Sequence, residues 1–180
     1  MGCSNNVIPE KRNSRHQLSS RITFPMCKAK NIILEDYIMR ALIKHNEFRN
    51  KHNIAELQNN PQLNEIAQEC AENLHNKNNN KNYLVNIYNN SFLGQNVIIS
   101  KKMSPEDICL KWYNEGANYD YKSYKYQKGK GHFTQIIWKK TKEVGFGFYI
   151  DNENIFYGVA VYYPGGNILG EYEENIQAPQ

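Results

Sequence analysis

The sequence is short of several things, and each shortage excludes a class of protein. No apolar run is long enough to span a bilayer, which needs roughly 20 consecutive apolar residues. The start of the chain lacks the apolar block of a secretory signal peptide. Cysteine is sparse: Cys3, Cys27, Cys70 and Cys109 form no C-x-x-C pair, and no His/Cys group has zinc spacing. A cytosolic, reducing compartment with free thiols is therefore expected. Acidic and basic residues almost cancel over most of the chain. The net charge of +4 conceals a leader of +5 up to Lys30 and −1 for everything after it. A basic leader suits an anionic surface such as a membrane or nucleic acid. At 180 residues the chain can bury one full core but not comfortably two.

What is present begins with Met1-Gly2-Cys3-Ser4. Removal of Met1 would expose Gly2 for N-myristoylation, with Cys3 beside it for palmitoylation, although Asn6 stands where Ser or Thr is usual. A single myristoyl chain binds membranes marginally, and a second chain or a basic patch makes the anchoring stable. Residues 1–31 are polar and basic and are expected to form a mostly disordered leader. A domain over residues 32–180 follows.

Ile38, Leu42, His45 and Arg49 share one helical face, predicting a first helix over residues 34–52, with His45 and His52 as packing or surface residues. Leu63, Ile66, Ala67, Cys70, Ala71 and Leu74 predict an amphipathic second helix with Cys70 buried. The Asn-rich stretch 76–90 is expected to be loop, and residues 95–99 a short strand. Ser104-Pro105-Glu106-Asp107 is a helix start: a capping Ser, Pro at the first helical position, then acids at the positive end. Glu115 falls on the apolar stripe of that helix beside Trp112. A carboxylate there is costly unless it is paired, faces a cleft or reaches the edge. Alternation over residues 144–150 and 155–163, joined by Asp151-Asn152-Glu153-Asn154, predicts a hairpin. Helices first and strands later give an α+β domain in layers.

Residues 131–141, Gly-His-Phe-Thr-Gln-Ile-Ile-Trp-Lys-Lys-Thr, put His132 between a glycine-bearing loop and an apolar block. His132 can present a ring edge to a cleft or be a core-edge His satisfied by a carbonyl, and the residues alone leave both open. Tyr119, Tyr121, Tyr124 and Tyr126 interleave with Lys122, Lys125, Lys128 and Lys130. Such a run can stack bases and neutralise phosphates, yet no nucleic-acid module surrounds it, and no nucleic-acid partner is expected.

Residues 131–141 resemble the first signature of the CAP superfamily (cysteine-rich secretory proteins, antigen 5 and pathogenesis-related proteins). Residues 162–167, Tyr-Tyr-Pro-Gly-Gly-Asn, resemble the second. His45-Asn46-Glu47-Phe48-Arg49 and Trp112-Tyr113-Asn114-Glu115 resemble two further family motifs, and the likeness covers residues 36–179. Ala160 in place of a Cys, the tail at residues 170–175 and the Gly2 start resemble the Golgi-associated plant pathogenesis-related branch. The resemblance implies a three-layer α-β-α sandwich, myristoylation, and a place on the cytosolic leaflet of membranes such as the Golgi. It also implies a cleft of two His and two Glu that holds zinc in some members. His132 and Glu115 match one of each. Gln95 stands where the second Glu is expected, and the second His has no counterpart between residues 76 and 131. The expectation is a cleft of His132, Glu115 and Gln95, with Gln95 donating to Glu115, and without zinc, cofactor or catalytic residues. The implied function is non-enzymatic: binding of anionic lipids, sterol or a protein partner, a second copy of the chain included. The alternatives are a hydrolase using the His132–Glu115 pair and an interaction scaffold without lipid binding.

Overall fold

Strand alternation sorts the core into two halves. The computed structural model describes residues 25–75, 87–101 and 103–180. In β6 (Ile155–Tyr163), Phe156, Ala160 and Tyr162 face one side and Val159 and Val161 the other. The central strand β6 pairs antiparallel with β5 (Glu143–Ile150) and with β4 (Gly94–Lys101), and β1 (Gln58–Asn59) adds a parallel edge to β5. On one face lie α1 (Pro25–Lys51), α3 (Pro105–Asn114) and the short α4 (Gly131–Ile136), around Phe48, Trp112, Phe133 and Phe146. On the other lies α2 (Pro61–His75), with Leu63, Ala67, Cys70 and Ala71 buried. This is the three-layer α-β-α sandwich.

The local signals carry through. Ser104 caps α3, its hydroxyl accepting the Asp107 N–H at 3.1 Å, with Pro105 first in the helix. Asp151 closes the β5–β6 turn by accepting the N–H groups of Glu153 and Ile155. Two expectations change. First, α1 starts at Pro25, inside the expected leader, because Pro suits a first helical position and no breaker follows it; the leader up to residue 24 lies outside the described residues. Second, the stretch 76–90 is not all loop. Its end forms a small hairpin of β2 (Ile87–Tyr88) and β3 (Ser91–Phe92). Asn89 and Asn90 both have positive φ, 45° and 60°, as a two-residue hairpin turn requires. Residues 76–86 lie outside the described residues.

The α2 layer approaches β5 unusually closely because Gly145 and Gly147 lack side chains. A Cβ at Gly145 would stand 2.1 Å from the Leu63 carbonyl carbon, and one at Gly147 2.2 Å from the Gln68 nitrogen. The closeness lets α2 cap the β5 edge beyond β1. Asn64 Oδ1 accepts the Phe146 N–H at 2.9 Å, Gln68 Oε1 accepts the Phe148 N–H at 3.1 Å, and Gln68 Nε2 donates to the Phe148 carbonyl. Gly145→Ala is therefore expected to lower stability by about 1–3 kcal/mol, the range for forcing extra volume into a packed site. Gly131→Ala, where the nearest atom to a new Cβ is 3.9 Å away, should be close to neutral. Paired denaturant titrations give the comparison, and equal midpoints for both variants would remove this reading of the contact.

Candidate functional site

Glu115 ends α3 as its C-terminal cap, and its carboxylate faces the first turn of α4. Oε2 accepts the backbone N–H of His132 at 3.0 Å, and Oε1 lies 2.6 Å from His132 Nδ1. An ionised carboxylate can only accept, so Nδ1 carries a proton, and in the neutral ring Nε2 keeps the lone pair. The pair is part exposed, the side chains of His132 and Glu115 retaining 36% and 27% of their accessible surface. The Trp112 ring flanks the imidazole, centroids 5.9 Å apart. Both oxygens of Glu115 are thus engaged on one residue. The carboxylate on the apolar stripe is explained by that bracket, which also places negative charge at the start of α4.

Behind His132 a buried relay runs into the core. Asn96 Nδ2 donates to the His132 carbonyl and to Tyr162 Oη, both at 3.1 Å. Tyr162 Oη lies 2.8 Å from His45 Nε2, and His45 Nδ1 lies 2.9 Å from the Ala41 carbonyl. The carbonyl fixes the proton on Nδ1, so Nε2 accepts from the Tyr162 hydroxyl. Burial pushes the His45 pKa down to about 4, and the ring is neutral at pH 7. Cys109 Sγ is 3.3 Å from His45 Nδ1, which at first sight is a thiol–imidazole pair. It is not an activated one: Nδ1 is occupied by Ala41, and burial pushes the Cys109 thiol up. His52, also buried, sits between the Gln177 carbonyl (2.6 Å) and Tyr113 Oη (2.9 Å). Both histidines are packing residues, which decides between the packing and surface places that the sequence left open.

The two signature stretches are tied to one another. Gln135 Oε1 accepts the Gly166 N–H at 2.8 Å. Thr134 Oγ1 donates to Asn167 Oδ1 at 2.5 Å, and Asn167 Nδ2 donates to the Gly131 carbonyl at 2.9 Å. Thr141 Oγ1 donates to the Pro164 carbonyl. A Cβ at Gly94 would meet Gln135 Oε1 at 2.0 Å, so glycine there is what admits the Gln135 amide. Arg49 is fully buried and donates to the carbonyls of Ala55, Ile136, Trp138 and Thr141. Sequence reading passed over Asn96, Thr134, Gln135, Tyr162 and Arg49 as site supports. The available signal was polar residues set within otherwise apolar, buried runs.

Gln95 corrects an expectation. It does not hydrogen-bond to Glu115. Neighbouring residues of a strand point to opposite faces, and Asn96 takes the His132 side. Gln95 therefore points to the α2 face, where its amide lies beside the Cys70 thiol. The cleft pair is His132 and Glu115 alone. Among the described residues no three His, Cys, Asp or Glu side chains group together, and residues 76–86 contain none of these four types. With both Glu115 oxygens turned to His132, the described residues around the pair do not fit a zinc ion, which takes three or four protein ligands. Gly2 and Cys3 lie outside the described residues. Cys70 and Cys109 are in no disulfide. No helix among the described residues is long and apolar enough to cross a membrane.

Comparison with known proteins agrees with this architecture. The sequence profile described as "CAP: Cysteine-rich secretory protein family" matches residues 42–163. The chain is 32% identical over 139 residues to the human Golgi-associated plant pathogenesis-related protein 1, covering 76% of this chain and 89% of that protein. Its fold is similar to that of Schistosoma mansoni venom allergen-like protein 4, with a TM-score of 0.64, 20% identity, and coverage of 81% of this chain and 96% of the other. It is similar also to NaASP2, solved with Zn2+, at a TM-score of 0.60, 20% identity, and coverage of 81% and 87%. A three-layer α-β-α sandwich that matches this profile over residues 42–163 is a CAP domain. The chain belongs to the CAP, or cysteine-rich secretory protein, family, and it has a Golgi-associated pathogenesis-related relative across most of its length.

Proposed function

We propose that the protein works without catalysis, as a CAP-domain binding protein docked on the cytosolic leaflet of membranes, the Golgi among them. Acyl chains on Gly2 and Cys3 and the basic leader hold it there, and the domain takes lipid, sterol or a protein partner. The observation that carries the non-catalytic part is the use of Glu115. Its two oxygens hold the N–H and the ring of His132 in place, and no hydroxyl or thiol among the described residues hydrogen-bonds to His132 Nε2. A general base without a nucleophile or a metal-bound water to activate has little to act on. The membrane part is supported by Gly2, Cys3 and the +5 leader, and by the human relative, whose name records a Golgi association.

The test is fractionation of cells expressing the full chain and its Gly2→Ala variant, with mass spectrometry of the mature N-terminus. A mass increment of one myristoyl group is expected on the parent. The variant should lose membrane-bound protein by roughly tenfold or more, since myristoylation supplies the first of two anchoring signals. Unchanged partition of the variant would defeat the reading.

A further inference from the structure

The outer edge of β5 is covered step by step, and the cover stops one step short. β1 pairs with Glu143 and Val144 and goes no further. Beyond it, α2 presents Asn64, Gln68 and Glu72 at intervals of four along one helical face. Asn64 caps the outward N–H of Phe146, and Gln68 caps the outward N–H and C=O of Phe148. Ile150 comes next, and by strand alternation its N–H and C=O also point outward. Glu72 stands at the matching helix position. A carboxylate cannot donate to a carbonyl, and Glu72 Oε1 accepts instead from Gln68 Nε2 at 2.8 Å. Among the described residues no hydrogen bond reaches the outward main chain of Ile150. A groove of about 420 Å³ opens there between the two helical layers. Ile33 and Leu34 of α1 wall one side, Gln68 and Glu72 of α2 the other, and Phe148 and Ile150 form the floor. Ile33 is 58% exposed. An apolar wall, an open main-chain donor and acceptor, and an acidic rim are the chemistry of a site for one more strand.

The chain's own leader matches these walls. Residues 1–24 lie outside the described residues, and they run directly into α1, which supplies the apolar wall. They carry Lys11, Arg12, Arg15 and Arg21 against Glu10 alone, a charge opposite to that of Glu72. Leu18 is the one apolar residue between Glu10 and Arg21, with Arg15 and Arg21 three positions to either side. In an extended chain, residues three apart face opposite ways. With Leu18 set against Ile33, Leu34 and the Ile150 side chain, both arginines turn to the α2 side, where Glu72 stands. The reach is short: Ile33 is about 12 Å from Pro25 along the helix, which about four extended residues span. A chain that reverses before Pro25 therefore brings residues 17–21 level with the groove, and a tethered segment needs little intrinsic affinity. We propose that leader residues 15–21 add to the edge of β5 at Ile150 as a short strand, held by Leu18 in the apolar wall and by Arg15 and Arg21 at Glu72. The proposal depends neither on acylation nor on membranes. Where the membrane reading holds, the groove and the bilayer compete for the same segment.

The test is amide hydrogen exchange, read residue by residue by NMR, on the full chain carrying Gly2→Ala, at low salt and without lipid. The amides of Ile150 and of residues 17–20 should exchange slowly in that protein. Adding Leu18→Asp changes no residue of the folded domain. It should speed exchange at Ile150 by about tenfold or more, the factor carried by one buried leucine. Glu72→Arg, at an exposed position, should speed it several-fold, with exchange at Phe146 unchanged in both variants. A synthetic peptide of residues 13–23 added to the Leu18→Asp protein should restore the slow rate at Ile150, and the same peptide carrying Leu18→Asp should not. Fast exchange at Ile150 in the starting protein, or a slow rate that Leu18→Asp leaves unchanged, overturns the inference. Slow exchange that is lost on dilution overturns it in favour of a second copy of the chain. Slow exchange found only in a myristoylated chain measured alongside overturns it in favour of the acyl group. Membrane partition of Gly2→Ala in cells can fail without moving any of these rates, and the reverse, so the two readings are separable.

Discussion

Replacing Arg49 with methionine is expected to lower the stability of the domain by roughly 3–5 kcal/mol, the cost of leaving buried polar partners of a charge unmatched. The guanidinium is buried and, among the described residues, pairs with no carboxylate. Nε donates to the Ala55 carbonyl at 2.7 Å, one terminal nitrogen to the carbonyls of Ile136 and Trp138 at 2.9 Å each, and the other to Thr141 at 3.0 Å. These acceptors lie just past the loop after α1 and at the exit of α4, so one side chain fixes the first signature to the first helix. The carbonyls at the end of α4 carry the negative end of its peptide dipoles, which suits a cation. Burial pulls the Arg49 pKa down to about 10, still well above neutral, so the group is charged at pH 7. Methionine fills much of the volume and satisfies none of the four carbonyls. Lysine carries the charge but cannot reproduce the planar fork, and Arg49→Lys should also be destabilised, by a smaller margin. In a chain of this size the methionine variant should melt roughly 6–20 °C lower. A melting point within a degree or two of the parent would mean that water or relaxation satisfies the carbonyls.

Arg49 also marks where sequence reading stopped. Its place on a helix face with His45 was legible, because a period of three to four residues is local information. Its partners were not, because Ile136, Trp138 and Thr141 lie 87 to 92 positions away and accept through main-chain oxygens that have no sequence identity. The same division holds elsewhere. The α2 stripe, the Ser104 cap and the β5–β6 alternation are short-range patterns, and each forms where expected. The β2–β3 hairpin was hidden because asparagines that serve a tight turn look like those that fill a loop. Gln95 failed for a different reason. It was placed from the family triplet, whereas strand alternation gives the His132 face to its neighbour Asn96. Glu115 was correctly flagged as a carboxylate needing a partner. Its hold on the His132 main chain could be seen only once α3 and α4 met.

Acidification from pH 7 to pH 4 is expected to remove about 3 kcal/mol of stability through His45 alone. The ring titrates near 6.5 in an unfolded chain and at about 4 in the folded one, chiefly because burial opposes the cation; Arg49 adds a smaller repulsion, and the bond to Ala41 works the other way. Between these values the unfolded chain holds one more proton than the folded one. Stability is therefore complete above pH 6.5 and declines as the pH falls towards 4, by about 1.4 kcal/mol for each unit of separation. His52 is also lowered by burial and acts in the same direction. The lowered carboxyls of Glu106 and Asp151 also act in this direction, but only from the ordinary carboxylate range downwards, at the acid end of the titration. A Gln at position 45 keeps one donor and one acceptor without a titrating ring. His45→Gln should be less stable than the parent at pH 7, because its geometry fits the Ala41–Tyr162 gap less well. It should lose about 3 kcal/mol less on acidification, so the two stability curves converge near pH 4. Urea titrations of both proteins at half-unit steps of pH decide it. Parallel curves would show that the proton is taken up elsewhere, and that the relay from Ala41 through His45 and Tyr162 to Asn96 tolerates a charged imidazole.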